Sequence, residues 1–269
     1  MTRLGRLRRR VAGWLRRPLP EPPLAMRAGV GGGDWRAVGE ELAGLLVERG
    51  GLGRDDRLLD LGCGLGRVVQ PLRSYLSRRA SYLGVDVAPH YIAWNEAEIA
   101  SRDPRFRFAW LDVHSAYYHA EGGVPPERAV LPVGDGEFDF ALATSLLTHL
   151  DAAAVERYLS ELARALRRGG RLLATFFVLD DGVRRLAREG RTGFDFRHEL
   201  RGGGWTAFPD RPEQATAFER EWLLATLAKA GFELEGDVDR GSWTGAPGAA
   251  TYQDLIVGRR DRRGVTALR

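Results

Sequence analysis

Apolar and polar positions along the chain follow two alternating rhythms. Between residues 35 and 48, Val38, Leu42, Leu45 and Leu46 recur at the spacing that lines one face of a helix, and Asp34 stands where a cap is needed. Short apolar runs over 57–61, 82–85, 106–111 and 138–143, bounded by turn-forming residues, read as strands. Helical patterns over 68–76, 90–99 and 152–167 alternate with them. The turn Gly169-Gly170 leads into a run over 171–178, a helix over 219–230 ends at Gly231, and runs over 232–236 and 252–257 close the series. Strands that alternate with helices predict an α/β fold, here a doubly wound, seven-stranded, mostly parallel sheet with helices on both faces. The Gly-rich stretch 180–218 breaks the rhythm and reads as an insertion.

The ends follow different rules. Leu4, Leu7, Val11, Trp14 and Leu15 have approximate helical spacing among Arg3, Arg6, Arg8, Arg9, Arg10, Arg16 and Arg17. That pattern suits weak contact with an anionic membrane surface, or a solvated helix resting against the rest of the chain. Pro18, Pro20, Pro22 and Pro23 terminate it. The expected organisation is a basic extension over 1–28, one domain over 29–258, and a basic tail over 259–269 containing Arg259, Arg260, Arg262 and Arg263. The net charge of +4 on 269 residues therefore sits at the two ends, so nucleic acid is not the expected partner. No apolar run approaches the roughly 18 residues of a membrane span and the basic opening lacks the apolar stretch of a secretory signal, so a cytoplasmic location is expected. The single cysteine, Cys63, permits no internal disulfide and no thiolate zinc site.

The chemistry concentrates where the first strand meets its helix, in Leu58-Leu59-Asp60-Leu61-Gly62-Cys63-Gly64-Leu65-Gly66-Arg67. Glycines there clear side chains from the approach of a ligand, and backbone N–H groups near a helix start favour an anionic end. A dinucleotide fingerprint would need Gly or Ala at position 67 and a phosphate loop would need Lys-Ser or Lys-Thr, and neither is present. Asp86, in Gly84-Val85-Asp86, ends the next strand about 20 residues on, where an acid accepts ribose hydroxyls. Asp112, in Trp110-Leu111-Asp112-Val113, ends the third strand and suits an exocyclic amino group.

This loop with its two acids resembles the S-adenosylmethionine site of class I methyltransferases, over about 31–257. The resemblance implies a Rossmann-like fold, S-adenosylmethionine as cofactor and S-adenosylhomocysteine as product. It places Asp60 near the methionine amino group and the backbone carbonyl of Ser145 beside it. Gly62, Cys63, Gly64, Gly66, Val87 and Val113 complete the expected cofactor contacts. More narrowly, segments 30–35, 144–150, 194–200, 241–243 and 252–254 resemble a bacterial branch of small-molecule methyltransferases of unassigned substrate.

Methyl transfer is an in-line displacement, in which much of the rate comes from alignment. A hydroxyl acceptor also needs a base, and histidine's ordinary pKa suits that task. His149, just past the fourth strand, is the leading candidate, and His198 in the insertion is the second. Trp110, Tyr117, Tyr118, Phe194, Phe196, Trp205 and Trp243 are candidates for an apolar acceptor wall, and Arg67 for a contact to an acidic group. Asp151 alone makes no metal site, and none is expected. The expected activity is methylation of a small molecule, a natural product or sugar hydroxyl. The alternatives are a nucleic-acid methyltransferase, which Ala143-Thr144-Ser145-Leu146 in place of Asn/Asp-Pro-Pro-aromatic disfavours, and a non-catalytic binding module.

Overall fold

Parallel strands buried on both faces are mostly apolar, and the strands at the centre of the sheet are so apart from Arg57 and Asp60 in the first and Asp139 in the fourth. In the computed structural model, which describes residues 18–261, β1 (Arg57–Leu61) and β4 (Phe138–Ala143) are almost wholly buried. The other sheet strands are β2 (Ser81–Asp86), β3 (Phe106–Trp110), β5 (Leu166–Phe176), β10 (Phe232–Leu234) and β11 (Asp254–Arg260). Their order is β3-β2-β1-β4-β5-β11-β10, with β11 antiparallel to both neighbours. This is the seven-stranded, mostly parallel, doubly wound sheet that the pattern predicts. The proposed extension up to Arg17, with Trp14, and the tail from Arg262 lie outside the described residues.

The described residues divide into two compact units, 18–111 and 112–261. The first holds β1 to β3 with α1 (Trp35–Glu48), α2 (Val69–Tyr75) and α3 (Pro89–Glu98). Asp34 caps α1 by accepting the Ala37 N–H at 2.7 Å. The buried face of α1 differs from the expected stripe: Trp35, Gly39, Ala43, Leu45 and Leu46 are buried, while Val38 and Leu42 are half-buried. The reason is steric, because a Cβ at Gly39 would lie 2.4 Å from the Arg67 carbonyl oxygen. Small residues make the closest approach, and large apolar ones flank it.

The second unit holds β4, β5, β10 and β11 with α4 (Ala152–Ala165) and α6 (Arg220–Ala230). Asp151 is the cap of α4, accepting the Ala154 N–H at 2.8 Å. The expected turn at Gly169-Gly170 is instead part of β5, which begins at Leu166 and absorbs the extra residues as a register shift against β4. Arg259 and Arg260, expected to open a tail, extend β11, where the Arg259 guanidinium donates to Glu235 at 2.5 Å and that of Arg260 to the Leu166 carbonyl.

The insertion is ordered too. It contributes α5 (Asp181–Arg188) and most of a small sheet whose first strand precedes it: β6 (Val178–Leu179), β9 (Thr216–Glu219), β8 (Trp205–Thr206) and β7 (His198–Glu199), in that order. Phe177, Leu179, Val183, Phe196, Ala217 and Trp243 form its core. Among the described residues no helix is long and apolar enough to cross a membrane, and no three His, Cys, Asp or Glu side chains group to hold a metal.

Candidate functional site

In the first unit, the chain leaves β1 through a loop whose glycines all take left-handed backbone angles: Gly62 at φ 76, Gly64 at 51 and Gly66 at 70. Only glycine does this without strain. The loop is closed on itself. Gly62 and Cys63 N–H donate to the Val85 carbonyl at 2.8 and 3.2 Å, Gly64 N–H to Asp86 Oδ2 at 2.8 Å, and Gly66 N–H to the Cys63 carbonyl at 2.9 Å. These donors are therefore spent inside the protein, contrary to the expected anion-binding turn. What the loop presents is a surface cleared of side chains.

Asp86 accepts the N–H of Gly64 on one oxygen and that of Ala88, at 2.9 Å, on the other, and the residue is half-buried. Burial raises its pKa, while the Ala88 and Gly64 N–H groups oppose the rise. Val87, beside it, takes the Trp110 indole N–H on its carbonyl at 2.9 Å.

Beneath the loop, Asp60 is 2% exposed and accepts the Tyr82 phenol at 2.6 Å. Burial pushes its carboxyl up to about 7, the phenol opposing and the Asp86 charge adding to the rise. Cys63 is buried, with its thiol raised well above the usual range by burial and then by Asp86 and Asp60. Asn95 on α3, which the sequence pattern did not single out, donates to the Gly64 carbonyl at 2.7 Å and so shapes the loop from behind. Arg67 is committed elsewhere, stacked 4.7 Å over Trp35 and donating to the Gly31 carbonyl at 3.1 Å.

In the second unit, Asp112 opens a loop that returns at Val124, which pairs with Val113. Its Oδ1 accepts the Gly123 N–H at 3.1 Å and faces His119 Nε2 at 2.9 Å, and these contacts lower its pKa, the histidine contributing most. Asp112 thus staples its own loop, and Oδ2 is the oxygen outside that pairing.

Ser145 follows β4 with φ 52 and is, among the described residues, the one non-glycine with positive φ. Such a conformation costs about 1–3 kcal/mol and persists only when its surroundings impose it. Its N–H donates to Thr175 Oγ1 at 2.8 Å, and its hydroxyl meets Gln253 Oε1 at 3.1 Å. The Thr175 hydroxyl meets the same oxygen at 2.6 Å, and Gln253 Nε2 reaches Thr148 Oγ1 at 3.2 Å. His149 comes next, its Nδ1 lying 2.7 Å from the Glu213 carbonyl. A carbonyl only accepts, so Nδ1 carries a proton, and in the neutral ring Nε2 is the accepting nitrogen.

His198 is not placed in comparable surroundings: it is exposed on β7, with its backbone paired to Thr206. The aromatic candidates separate as well. Phe196 and Trp243 are core, Trp205 lies under the Arg184 guanidinium at 4.3 Å, and Tyr117 is 67% exposed. Phe194 is a partly buried ring, with its centroid 6.1 Å from that of Tyr252, a ring outside the expected set. Gln253, the hub of the network, is not among the expected site residues; its one sequence signal is its place in segment 252–254, which resembles the methyltransferase branch.

Residues 59–174 match the methyltransferase-domain family. An uncharacterised protein of Mycobacterium bovis is 29% identical over 144 residues, 52% of this chain and 45% of that protein. An O-methyltransferase of Aspergillus nomiae is 26% identical over 147 residues, 55% of this chain and 54% of that one. The chain thus spans about half the length of these curated relatives. Among solved structures, 1,6-didemethyltoxoflavin-N1-methyltransferase of Burkholderia thailandensis, with S-adenosylhomocysteine bound, superposes with TM-score 0.52 at 21% identity over 91% of this chain and 94% of that one. Its likeness is one of fold. Residues 59–174, which hold the glycine loop after β1, are thus similar to a methyltransferase domain, and the seven-stranded sheet has the fold of the solved methyltransferase.

Proposed function

We propose that this chain transfers the methyl group of S-adenosylmethionine to a hydroxyl of a small molecule, a natural product or sugar, and releases S-adenosylhomocysteine. The observation that carries the reading is Asp86, whose two oxygens are anchored by the Gly64 and Ala88 N–H groups beside a loop free of side chains. A vicinal diol fits that acceptor pair, and the ribose of the cofactor carries one. When bound, the cofactor supplies an electrophilic methyl on a sulfonium.

The chain's own residues do the rest. Asp86 holds the ribose, Oδ2 of Asp112 takes the adenine amino group, and Val87 and Val113 flank these contacts. Asp60 answers the methionine ammonium, whose charge favours the ionised carboxylate over the neutral form that burial promotes. The resemblance to class I methyltransferases assigns the Ser145 carbonyl to the same group. Nε2 of His149 accepts the proton of the acceptor hydroxyl as its oxygen bonds to the methyl carbon, and the Glu213 carbonyl keeps the imidazole in the required tautomer. An oxygen acceptor agrees with the name of the Aspergillus relative, and a small one with the Burkholderia neighbour. A nucleic-acid acceptor and a metal have no part in this reading, and the lone thiol suits a reducing cytoplasm.

Calorimetric titration with S-adenosylmethionine and S-adenosylhomocysteine tests the first half. Micromolar affinity is expected, on the order of −8 kcal/mol. A chain that binds neither is a methyltransferase-like module acting through partners. Incubation with hydroxylated metabolites and sugars, read by mass spectrometry, tests the second half, and methylation confined to amines would remove the base from the scheme.

A further inference from the structure

Given the assignment of the Ser145 carbonyl to the methionine ammonium, on which this inference rests, we propose that Gln253 is a positioning residue. It locks Ser145 in the left-handed conformation and thereby sets the affinity for the cofactor.

The hydrogen-bond directions fix its part. Thr175 Oγ1 accepts the Ser145 N–H at 2.8 Å, and the hydroxyl protons of Thr175 and Ser145 both point to Gln253 Oε1, at 2.6 and 3.1 Å. On its other side the same amide donates to Thr148 Oγ1 at 3.2 Å. One side chain thus grips the turn at Ser145 and again three residues later. Thr148 and Thr175 are 0% and 3% exposed, so both are fixed by burial, whereas Ser145 itself is exposed. Packing around its side chain therefore does not impose its φ of 52, which leaves the hydrogen bonds to do so.

Gln253 is itself well anchored. The Thr251 hydroxyl donates to its carbonyl at 2.5 Å, and the Asp254 carboxylate next to it takes the N–H groups of Val178 and Gly241, both at 2.8 Å. The amide is held from outside the turn that it orders.

A double-mutant cycle on the full-length chain separates this role from general support of the fold. Glycine adopts the left-handed angle freely, so Ser145→Gly removes the need for a clamp. S-adenosylhomocysteine binding is measured by calorimetry, and melting is followed by circular dichroism. Gln253→Ala is expected to weaken binding about tenfold, about 1.4 kcal/mol, in the wild-type background. In the Ser145→Gly background the same substitution should cost less than about twofold. Equal losses in the two backgrounds, or no loss in either, overturn the proposal. If the alanine variant does not fold, Gln253→Met keeps the volume, removes the amide and enters the same cycle. A wild-type chain that fails to bind the ligand defeats the cofactor reading itself, an outcome distinct from a wild-type chain that binds and shows no coupling.

Discussion

The glycine loop after β1 and the turn after β4 place backbone in the left-handed region by opposite means. In the loop, Gly62, Gly64 and Gly66 adopt positive φ freely, and short-range bonds to Val85 and Asp86 complete the shape. In the turn, Ser145 adopts it against its preference and is held by Thr175, Thr148 and Gln253. The first arrangement is written into the local sequence, and the second exists only once distant segments have met. We therefore expect substitutions on the loop side to act on affinity, and those near the turn to split between affinity and chemistry.

The largest effect should come from His149, which follows that turn. His149→Gln is expected to lower single-turnover methylation by roughly two to four orders of magnitude once an acceptor is known. Cofactor affinity should stay as it was. A rate and pH profile like the wild type's would remove the base, and a fall in affinity would make His149 another prop of the turn.

Asp86→Ala should reverse that split. Binding of S-adenosylmethionine weakens at least tenfold, about 1.4 kcal/mol, because the ribose loses a charged acceptor. The Gly64 and Ala88 N–H groups lose theirs as well, so melting temperature falls in parallel. Undiminished affinity in calorimetry would take the loop side out of the site.

The remaining effect is on stability and leaves the chemistry aside. Asp60 in the folded chain has its carboxyl raised from the ordinary 3.8 to about 7, so between these values the folded state holds a proton that the unfolded state has released. Its ionisation therefore withdraws stability as pH rises through that window, with no further change above it, by on the order of 4 kcal/mol at most. Asp60→Asn, which stays neutral, should melt on the order of 10 °C above wild type at pH 8 and lose that advantage by pH 4. A constant difference in melting temperature across this range would show that Asp60 is ionised in the folded protein throughout.

The same contrast explains what could be read from the sequence. Gly64 and Asp86 are 22 residues apart and are brought together by the parallel pairing of β1 with β2, so strand rhythm and glycine spacing expose them. Gln253 lies 108 residues from Ser145, and Glu213 lies 64 from His149; neither separation leaves a periodic trace. The insertion was opaque for another reason. Its strands β7 and β8 have two residues each, too few for alternation to appear. The early start of β5 was hidden by the exposed Arg167 and Arg168 and by Gly169, which sit where the register shifts. The stripe on α1 misled because the pattern gives weight to large side chains, whereas Gly39 makes the tightest contact.

Cys63 gives the loop a clock of its own. The thiol is 7% exposed, and a Cβ at Gly84 would lie 2.8 Å from its sulfur, so it is sealed against β2. Its raised pKa leaves almost no thiolate, the form that reacts with alkylating reagents. Labelling must therefore wait for brief excursions that uncover the sulfur. Because the chain has a single cysteine, the labelling rate counts those excursions with no introduced probe. A ligand that seals the loop would slow the count, turning a buried filler into a direct readout of how often the loop opens.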